Sequence, residues 1–154
     1  ICVNPLLADV FKRYGAKENK VRLIYPFIHK SPEKGVEIRP DLKTFAEKSN
    51  PFLLTVGLLE DTYDLFMQID ALEKVLQKFP NAGLMLIGSG SLESRLKETI
   101  AAKGYADKIC LANDVNHKIT LHLINDCDIL LRTTKFDGDA ISIREALHLE
   151  TPVI

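Results

Sequence analysis

The chain has no tryptophan, only two methionines and no long apolar run. A helix needs roughly 18–20 consecutive apolar residues to cross a bilayer, and no stretch of this sequence approaches that length, so we expect no membrane span. Charge of one sign is also scarce, because 20 basic residues nearly balance 21 acidic ones and leave a formal net charge of −1. Such a balance gives no general field that attracts nucleic acid or anionic lipid. Any site for an anion must therefore be local.

Cysteine is scarce as well. Cys2, Cys110 and Cys127 lie in or beside apolar runs, and their spacing is not that of a metal site. An odd number of such residues indicates reduced, buried thiols rather than a disulfide framework. We therefore expect a cytoplasmic protein.

The remaining composition is that of an ordinary globular domain, with 46% apolar and 27% charged residues. A length of 154 residues corresponds to about one domain. The chain begins without methionine and stops on an apolar run at residues 152–154. We therefore expect it to be a piece of a longer protein.

Short apolar runs alternate with amphipathic segments along the chain. This alternation predicts an α/β fold, a three-layer Rossmann-like parallel sheet with helices on both faces. Strands are predicted over residues 21–25, 52–56, 84–87, 109–112, 129–131 and 152–154. Helices are predicted over residues 6–14, 65–79, 92–100 and 140–149. Another helix is predicted to begin between residues 113 and 118 and to end at about 126, and one short helix is predicted near 43–48 in a polar stretch.

Ligands of such sheets bind beyond the carboxyl ends of the strands. Those ends are predicted at Gly57, at Gly88, at residues 112–113 and in the loop over 132–139. Residues 88–92 begin like a dinucleotide-binding fingerprint, but Glu93 replaces its third glycine. A helix N-cap at Ser91 is the simpler explanation, and a close approach of a ligand to the backbone at Gly88 stays open.

Asp137 and Glu145 lie eight residues apart across the predicted start of a helix, with a glycine and small residues between them. The amides and the positive dipole end at a helix start favour an anion. Flanking carboxylates can accept hydrogen bonds from hydroxyl groups. This segment therefore predicts a site for an anionic, hydroxyl-rich ligand.

Simpler roles are open for the same residues. Asp139 directly precedes the helix, where an N-cap that accepts from the Ser142 amide is the default. The triplet of residues 137–139 also has the Asp-x-Asp form that holds a divalent metal in other proteins. A cation is disfavoured at a helix N-terminus, and no third hard ligand is evident, so we expect no metal.

Other charged residues near these motifs have unremarkable predicted roles. We expect Arg144 to be solvated, and we expect the histidines to be surface or capping residues, since their spacing is not that of ligands. The four histidines are His29, His117, His122 and His148.

Four segments resemble the retaining GT-B glycosyltransferases of group 1, which include glycogen and sucrose synthases. They are FLLTVG at residues 52–57, LMLIGSGSL at 84–92, CDILL at 127–131, and the stretch from Glu145 to the final TPVI. The resemblance implies that residues 51–154 form a truncated nucleotide-sugar-binding lobe. Residues 1–28 would be the end of the N-terminal lobe, and 29–50 a connector.

The family's two glutamates, separated by seven residues, correspond here to Asp137 and Glu145. The resemblance implies that Asp137 contacts hydroxyls of the transferred sugar and acts in catalysis, that Glu145 holds the nucleotide ribose, and that Asn113 lies by the base. Backbone amides would hold the diphosphate; they belong to Gly138, Asp139, Ala140, Ile141 and Ser142. Gly57 and Gly88 would lie beside the donor.

This sequence departs from the family in three places. Asp137 is one methylene shorter than the usual glutamate, Leu58 replaces an arginine that faces the diphosphate, and Tyr63 lies near the place of a lysine. Arg132 and Lys135 could supply the missing cations, because guanidinium in particular matches phosphate geometry. An altered donor or weak catalysis is the alternative.

The resemblance thus implies a retaining, metal-independent transfer of sugar from a UDP-, GDP- or ADP-sugar to an acceptor hydroxyl, with no further cofactor. The partners would be the chain's own N-terminal lobe and an acceptor, with peripheral membrane contact of the parent protein left open. Two alternatives stand beside it: a degenerate, non-catalytic lobe that serves as a binding or structural module, and a nucleotide-sugar epimerase.

Overall fold

The computed structural model of the chain describes residues 1–25 and 31–154. Helices and strands alternate along most of these ranges. They are α1 (Pro5–Arg13), α2 (Pro40–Lys48), β1 (Phe52–Val56), α3 (Leu65–Leu76), β2 (Gly83–Ile87), α4 (Glu93–Ala101), β3 (Ile109–Asn113), α5 (His117–Asp126), β4 (Ile129–Leu130) and α6 (Ile141–His148).

The four strands form one parallel sheet in the order β3-β2-β1-β4. Val153 extends it by a parallel bridge to Leu130, which is all that forms of the strand predicted over 152–154. Strands β1 and β2 pair without a shift, so that Val56 lies opposite Ile87 and both strands end at the same level. The predicted parallel α/β architecture is confirmed.

Side chains of a strand alternate between the two faces of the sheet. Leu53 and Leu84 enter one apolar cluster, while Leu54 and Met85 enter another. Burial on both faces explains why these strands are continuous apolar runs. The first cluster is completed by residues of α3 and α4, and the second by residues of α2, α5 and α6, which confirms the three layers.

Helix α2 begins at Pro40, earlier than the short helix predicted near 43–48. Proline suits the first turn of a helix, because the amide it lacks would have no partner there. Leu42 on this helix is fully buried in the second cluster. Part of the predicted connector therefore packs on the sheet, while the division into 1–28, 29–50 and 51–154 stays a prediction.

The N-terminal segment forms α1 as predicted, and Gly15 follows it with a φ of +94°, as is typical after a helix C-terminus. The strand predicted over 21–25 is reduced to a single parallel bridge between Cys2 and Leu23. The segment boundary predicted at 28–29 and His29 lie outside the described residues.

The three cysteines are free thiols. Cys2 and Cys127 are buried, and Cys110 is half-buried. Burial raises the pKa of Cys127 to about 12, so this thiol stays protonated. In the part of the chain that the structure describes, no helix has the length and apolar character needed to cross a membrane.

Gly88 follows β2 with a φ of +139°. A Cβ atom at this position would lie 1.8 Å from the carbonyl oxygen of Gly57. Gly88 thus allows the chain segments that leave β1 and β2 to approach each other closely. This approach shapes the carboxyl edge of the sheet.

Replacement of Gly88 by alanine should lower the free energy of unfolding by about 1–3 kcal/mol or more, because alanine is strained at this φ and its Cβ would clash with the Gly57 carbonyl. Gly104→Ala is the matched control, since a Cβ there meets nothing within 4 Å, and it should change stability by no more than about 0.5 kcal/mol. Urea unfolding of both variants measures the difference. Equal stabilities would contradict this account of the sheet edge.

Candidate functional site

A cavity of about 410 Å³ opens at the carboxyl edge of the sheet, between the ends of β1, β2 and β4 and the starts of α5 and α6. Six residues predicted to bind the donor line it, and seven further residues complete its wall. The predicted ones are Gly57, Gly88, Arg132, Ile141, Ser142 and Glu145; the others are Val56, Tyr63, Ile87, Asp114, Val115, His117 and Thr120.

The other predicted site residues lie around this cavity rather than in its wall. Asn113 ends β3, and its carbonyl oxygen accepts a hydrogen bond from the Gly88 amide. The next residue, Asp114, lines the cavity in place of Asn113. Leu58 is 57% exposed and Lys135 is also exposed, and neither residue lines the cavity. The rest of this group belongs to the loop before α6: Asp137, Gly138, Asp139 and Ala140.

Glu145 is the most deeply buried charged group at the cavity, with 3% exposure. Its Oε1 lies 2.5 Å from Nε2 of His117, the first residue of α5. A buried carboxylate is costly unless it is hydrogen-bonded, and His117 provides that bond from the neighbouring helix. Oε2 of Glu145 has no partner within residues 1–25 and 31–154. One carboxylate oxygen is therefore available to a ligand.

His117 is exposed, as predicted for a surface residue, but it also bonds to Glu145, a contact that was not predicted. The two residues are 28 positions apart, and no local pattern links them. The available signal was topological, since both α5 and α6 begin at the carboxyl edge of the sheet.

Arg132 forms another part of the wall, shortly after the end of β4. Its Nη1 donates to the carbonyl oxygen of Val56 at 3.0 Å, and its guanidinium lies over the ring of Tyr63 at 4.7 Å. Its Nε and Nη2 both donate to Oδ2 of Asp137, at 2.9 and 2.7 Å. The guanidinium therefore stands where β1 ends, and it fixes the Asp137 carboxylate beside the cavity.

A chain of hydrogen bonds that is buried or partly buried holds the backbone of Tyr63. Thr55 Oγ1 donates to Gln68 Oε1 at 2.6 Å, and Gln68 Nε2 donates to Thr133 Oγ1 at 2.7 Å. Thr133 Oγ1 in turn donates to the carbonyl oxygen of Tyr63 at 2.7 Å. The chain joins β1, α3 and the loop after β4 to the turn that carries Tyr63, and so holds the surface on which Arg132 lies.

Helix α6 presents unpaired amides at its start. The first bond along the helix runs from the Arg144 amide to the Ala140 carbonyl. The amides of residues 141–143 have no acceptor in the described part of the chain. Because Ile141 and Ser142 line the cavity, these orphan donors and the helix dipole favour an anion there.

The prediction that Asp139 caps α6 is wrong. Ala140 occupies the cap position, with no side-chain bond. Arg144 binds Asp139 instead, through Nε and Nη2 at 2.6 Å each. This bond lowers the pKa of Asp139, and it also corrects the expectation that Arg144 is solvated. A two-pronged guanidinium is a stronger partner for a carboxylate than one backbone amide.

Ser91 does not cap α4 either, since Leu92 holds the cap position. The Ser91 amide donates to Oε1 of Glu60 at 2.8 Å, and its hydroxyl donates to Oε2 at 2.6 Å. Glu60 thus ties the loop after β1 to the loop after β2. These hydrogen bonds lower the pKa of Glu60.

Among the described residues, no three His, Cys, Asp or Glu side chains are grouped so that they could hold a metal ion. Metal independence itself stays a prediction.

Residues 39–154 match the sequence model of the family described as glycosyl transferases group 1. The chain belongs to this family. A curated relative, an uncharacterised glycosyltransferase of Methanocaldococcus jannaschii, is 26% identical over 111 residues, which cover 70% of this chain and 26% of the relative.

Solved glycosyltransferase structures share the fold. One is a mutant of TarM from S. aureus in complex with fondaparinux, alpha-GlcNAc-glycerol and UDP. It superposes with a TM-score of 0.74 at 17% identity, and the match covers 99% of this chain and 28% of the TarM chain. Another is the pneumococcal O-GlcNAc transferase GtfA in complex with UDP and GlcNAc. It gives a TM-score of 0.74 at 19% identity, and the match covers 96% of this chain and 27% of the GtfA chain.

This group 1 glycosyltransferase chain thus has the C-terminal lobe of a GT-B fold. It spans about a quarter of the length of these relatives.

The His117–Glu145 bond should be measurable as a coupling free energy. His117→Ala should lower the free energy of unfolding by about 1–3 kcal/mol, because a buried carboxylate oxygen then lacks its partner. Glu145→Gln and the double variant complete a thermodynamic cycle, for which we expect a coupling of about 0.5–3 kcal/mol. Urea unfolding provides the four values. Additive single effects would show that the two side chains act independently.

Proposed function

We propose that this chain is the donor-binding part of a retaining glycosyltransferase, and that its cavity binds a nucleotide-diphosphate sugar for metal-independent transfer to an acceptor hydroxyl. The observation that carries the proposal is the joint presence, at one cavity, of the buried Glu145 carboxylate and the unpaired amides that begin α6. A volume of about 410 Å³ lies within the roughly 300–1,000 Å³ range of small-molecule sites.

In this proposal the α6 amides hold the diphosphate. Charge develops on the departing phosphate as the bond to the sugar breaks, and fixed donors in place before the reaction stabilise that charge without reorganisation. The main-chain donors of Ile141 and Ser142 meet this requirement at the cavity wall. Gly57 and Gly88 line the cavity at the ends of β1 and β2.

Glu145 would accept from a ribose hydroxyl through Oε2, since His117 already occupies Oε1. The base would lie toward Asn113 and Asp114, at the end of β3. A carboxylate accepts hydrogen bonds and cannot donate them when ionised, so hydroxyl groups are its natural partners. Glu145 therefore selects for a ribose end rather than for a second phosphate.

Asp137 would contact hydroxyls of the transferred sugar and lie near its electron-poor ring. Arg132 holds Oδ2 of this carboxylate and leaves Oδ1 for the substrate. The same guanidinium is the proposed substitute for the cation that Leu58 does not provide. Lys135, exposed in the same loop, is the second proposed cation.

UDP is the first nucleotide to test, because the TarM and GtfA complexes both contain it. GDP and ADP serve as comparisons.

Calorimetric titration of the chain with UDP, GDP and ADP should show binding of one of the three. Glu145→Ala should weaken that binding about tenfold or more, a loss of roughly 1.4 kcal/mol, because the ribose loses its acceptor. Glu73→Ala removes an exposed carboxylate of α3 outside the cavity and should leave affinity unchanged. No detectable binding of any nucleotide, or equal affinity in both variants, would contradict the site assignment.

One observation favours a second candidate, a degenerate lobe that only binds or supports a partner. The loop after β1 carries acids at Glu60, Asp61 and Asp64 and has no basic residue over 58–64. In addition, the charge of Arg132 is already paired with Asp137. A diphosphate would meet less positive charge here than in a typical member of the family.

Leu58→Arg distinguishes the two candidates. In a donor site the added guanidinium should raise nucleotide affinity about three- to tenfold, since a charge-assisted hydrogen bond contributes roughly 1.5–3 kcal/mol before screening. The gain should shrink as salt is added. Leu58→Gln is the uncharged control. Identical affinities for arginine, glutamine and leucine at this position would favour the degenerate lobe.

A further inference from the structure

The loop before α6 is held at three consecutive residues by three different partners. Arg132 binds the Asp137 carboxylate, and Arg144 binds the Asp139 carboxylate. Between them, the Gly138 carbonyl oxygen accepts from Nδ2 of Asn4 at 2.6 Å. Asn4 is 134 positions away along the chain, so this bond is a tertiary contact.

Asn4 uses both ends of its side-chain amide. Oδ1 accepts from the Leu7 amide at 2.8 Å and caps α1, while Nδ2 reaches the Gly138 carbonyl. Because the cap fixes the plane of the side-chain amide, the direction of its N–H donors is fixed as well. The start of α1 therefore determines where the Gly138 carbonyl can lie.

Gly138 is the place where such an anchor has the most effect. Glycine adopts a wider range of backbone conformations than any other residue, and this one stands between two carboxylates that are each tied to an arginine. A Cβ on Gly138 would lie 3.9 Å from both the Asn4 side chain and Val3.

The same N-terminal segment also approaches a residue that holds the loop. The guanidinium carbon of Arg144, which holds Asp139, lies 5.6 Å from the centre of the Tyr25 ring. Residues 1–25 thus contact the loop directly through Asn4 and indirectly through Tyr25.

We propose that Asn4 is a positioning residue for the donor site: it fixes the Gly138 carbonyl and thereby sets the direction in which Asp137 presents its carboxylate to the sugar. This inference rests on the proposed function of Asp137. It makes the position of α1 a determinant of sugar recognition.

Asn4→Asp isolates the bond to Gly138. Aspartate caps a helix about as well as asparagine, so α1 should persist, but it has no donor for the Gly138 carbonyl. Asn4→Ser keeps a capping hydroxyl without adding charge, which separates loss of the bond from electrostatic repulsion. Asn19→Asp adds the same charge to the same segment, at a side chain that has no hydrogen bond or ion pair among the described residues.

Backbone ¹⁵N relaxation of the whole chain is the primary measurement. In Asn4→Asp and Asn4→Ser, the order parameters of residues 137–139 should fall below about 0.6, the range of flexible backbone, and the carbonyl ¹³C shift of Gly138 should change. Residues 5–13 and the Asn19→Asp variant should match the parent chain. Unchanged order parameters and carbonyl shift in both Asn4 variants would overturn the proposal.

Affinity for UDP-glucose and for UDP provides the functional measurement. Both Asn4 variants should weaken UDP-glucose about two- to tenfold, the loss of roughly one hydrogen bond, and should leave UDP unchanged. An equal effect on both ligands would overturn the role of Asn4 in sugar recognition. If the parent chain binds no nucleotide, the proposed function fails, while the relaxation data still decide whether Asn4 fixes the loop.

Discussion

The guanidinium of Arg132 is the interaction on which the candidate site depends. It joins the end of β1, through the Val56 carbonyl, to the ring of Tyr63 and to the carboxylate of Asp137. Arginine suits this role because its donors point in fixed, planar directions. A phosphate bound at this place would therefore compete with Asp137 for the same guanidinium donors. The cation and the sugar-binding acid of the proposed site are thus one coupled unit.

Most of the fold could be predicted from local patterns. The spacing of Leu65, Ile69 and Leu72 specifies which face of α3 is buried, and the apolar run at 52–56 specifies a strand covered on both sides. Because helices and strands alternate, the strands must be parallel and their carboxyl ends must meet at one edge. That rule alone placed Gly57, Gly88 and the start of α6 together.

The contacts that complete the site could not be predicted in this way, because they join residues distant in sequence. His117 reaches Glu145 across 28 positions, and Asn4 reaches Gly138 across 134. The capping predictions failed for a related reason. Asp139 had a local amide available, but Arg144 offered two charged donors in its place. Local sequence patterns indicate which hydrogen-bond partners a residue could have, and the tertiary structure determines which of them it binds.

The central claim is that a nucleoside diphosphate binds with its phosphates at the start of α6. Chemical-shift mapping of the ¹⁵N-labelled chain during titration with UDP tests it most directly. The account predicts that the largest changes occur at the amides of residues 141–143, followed by Gly57 and Gly88. Changes confined to another surface, such as that around Lys43 and Glu47 on α2, or no change at any amide, would contradict it.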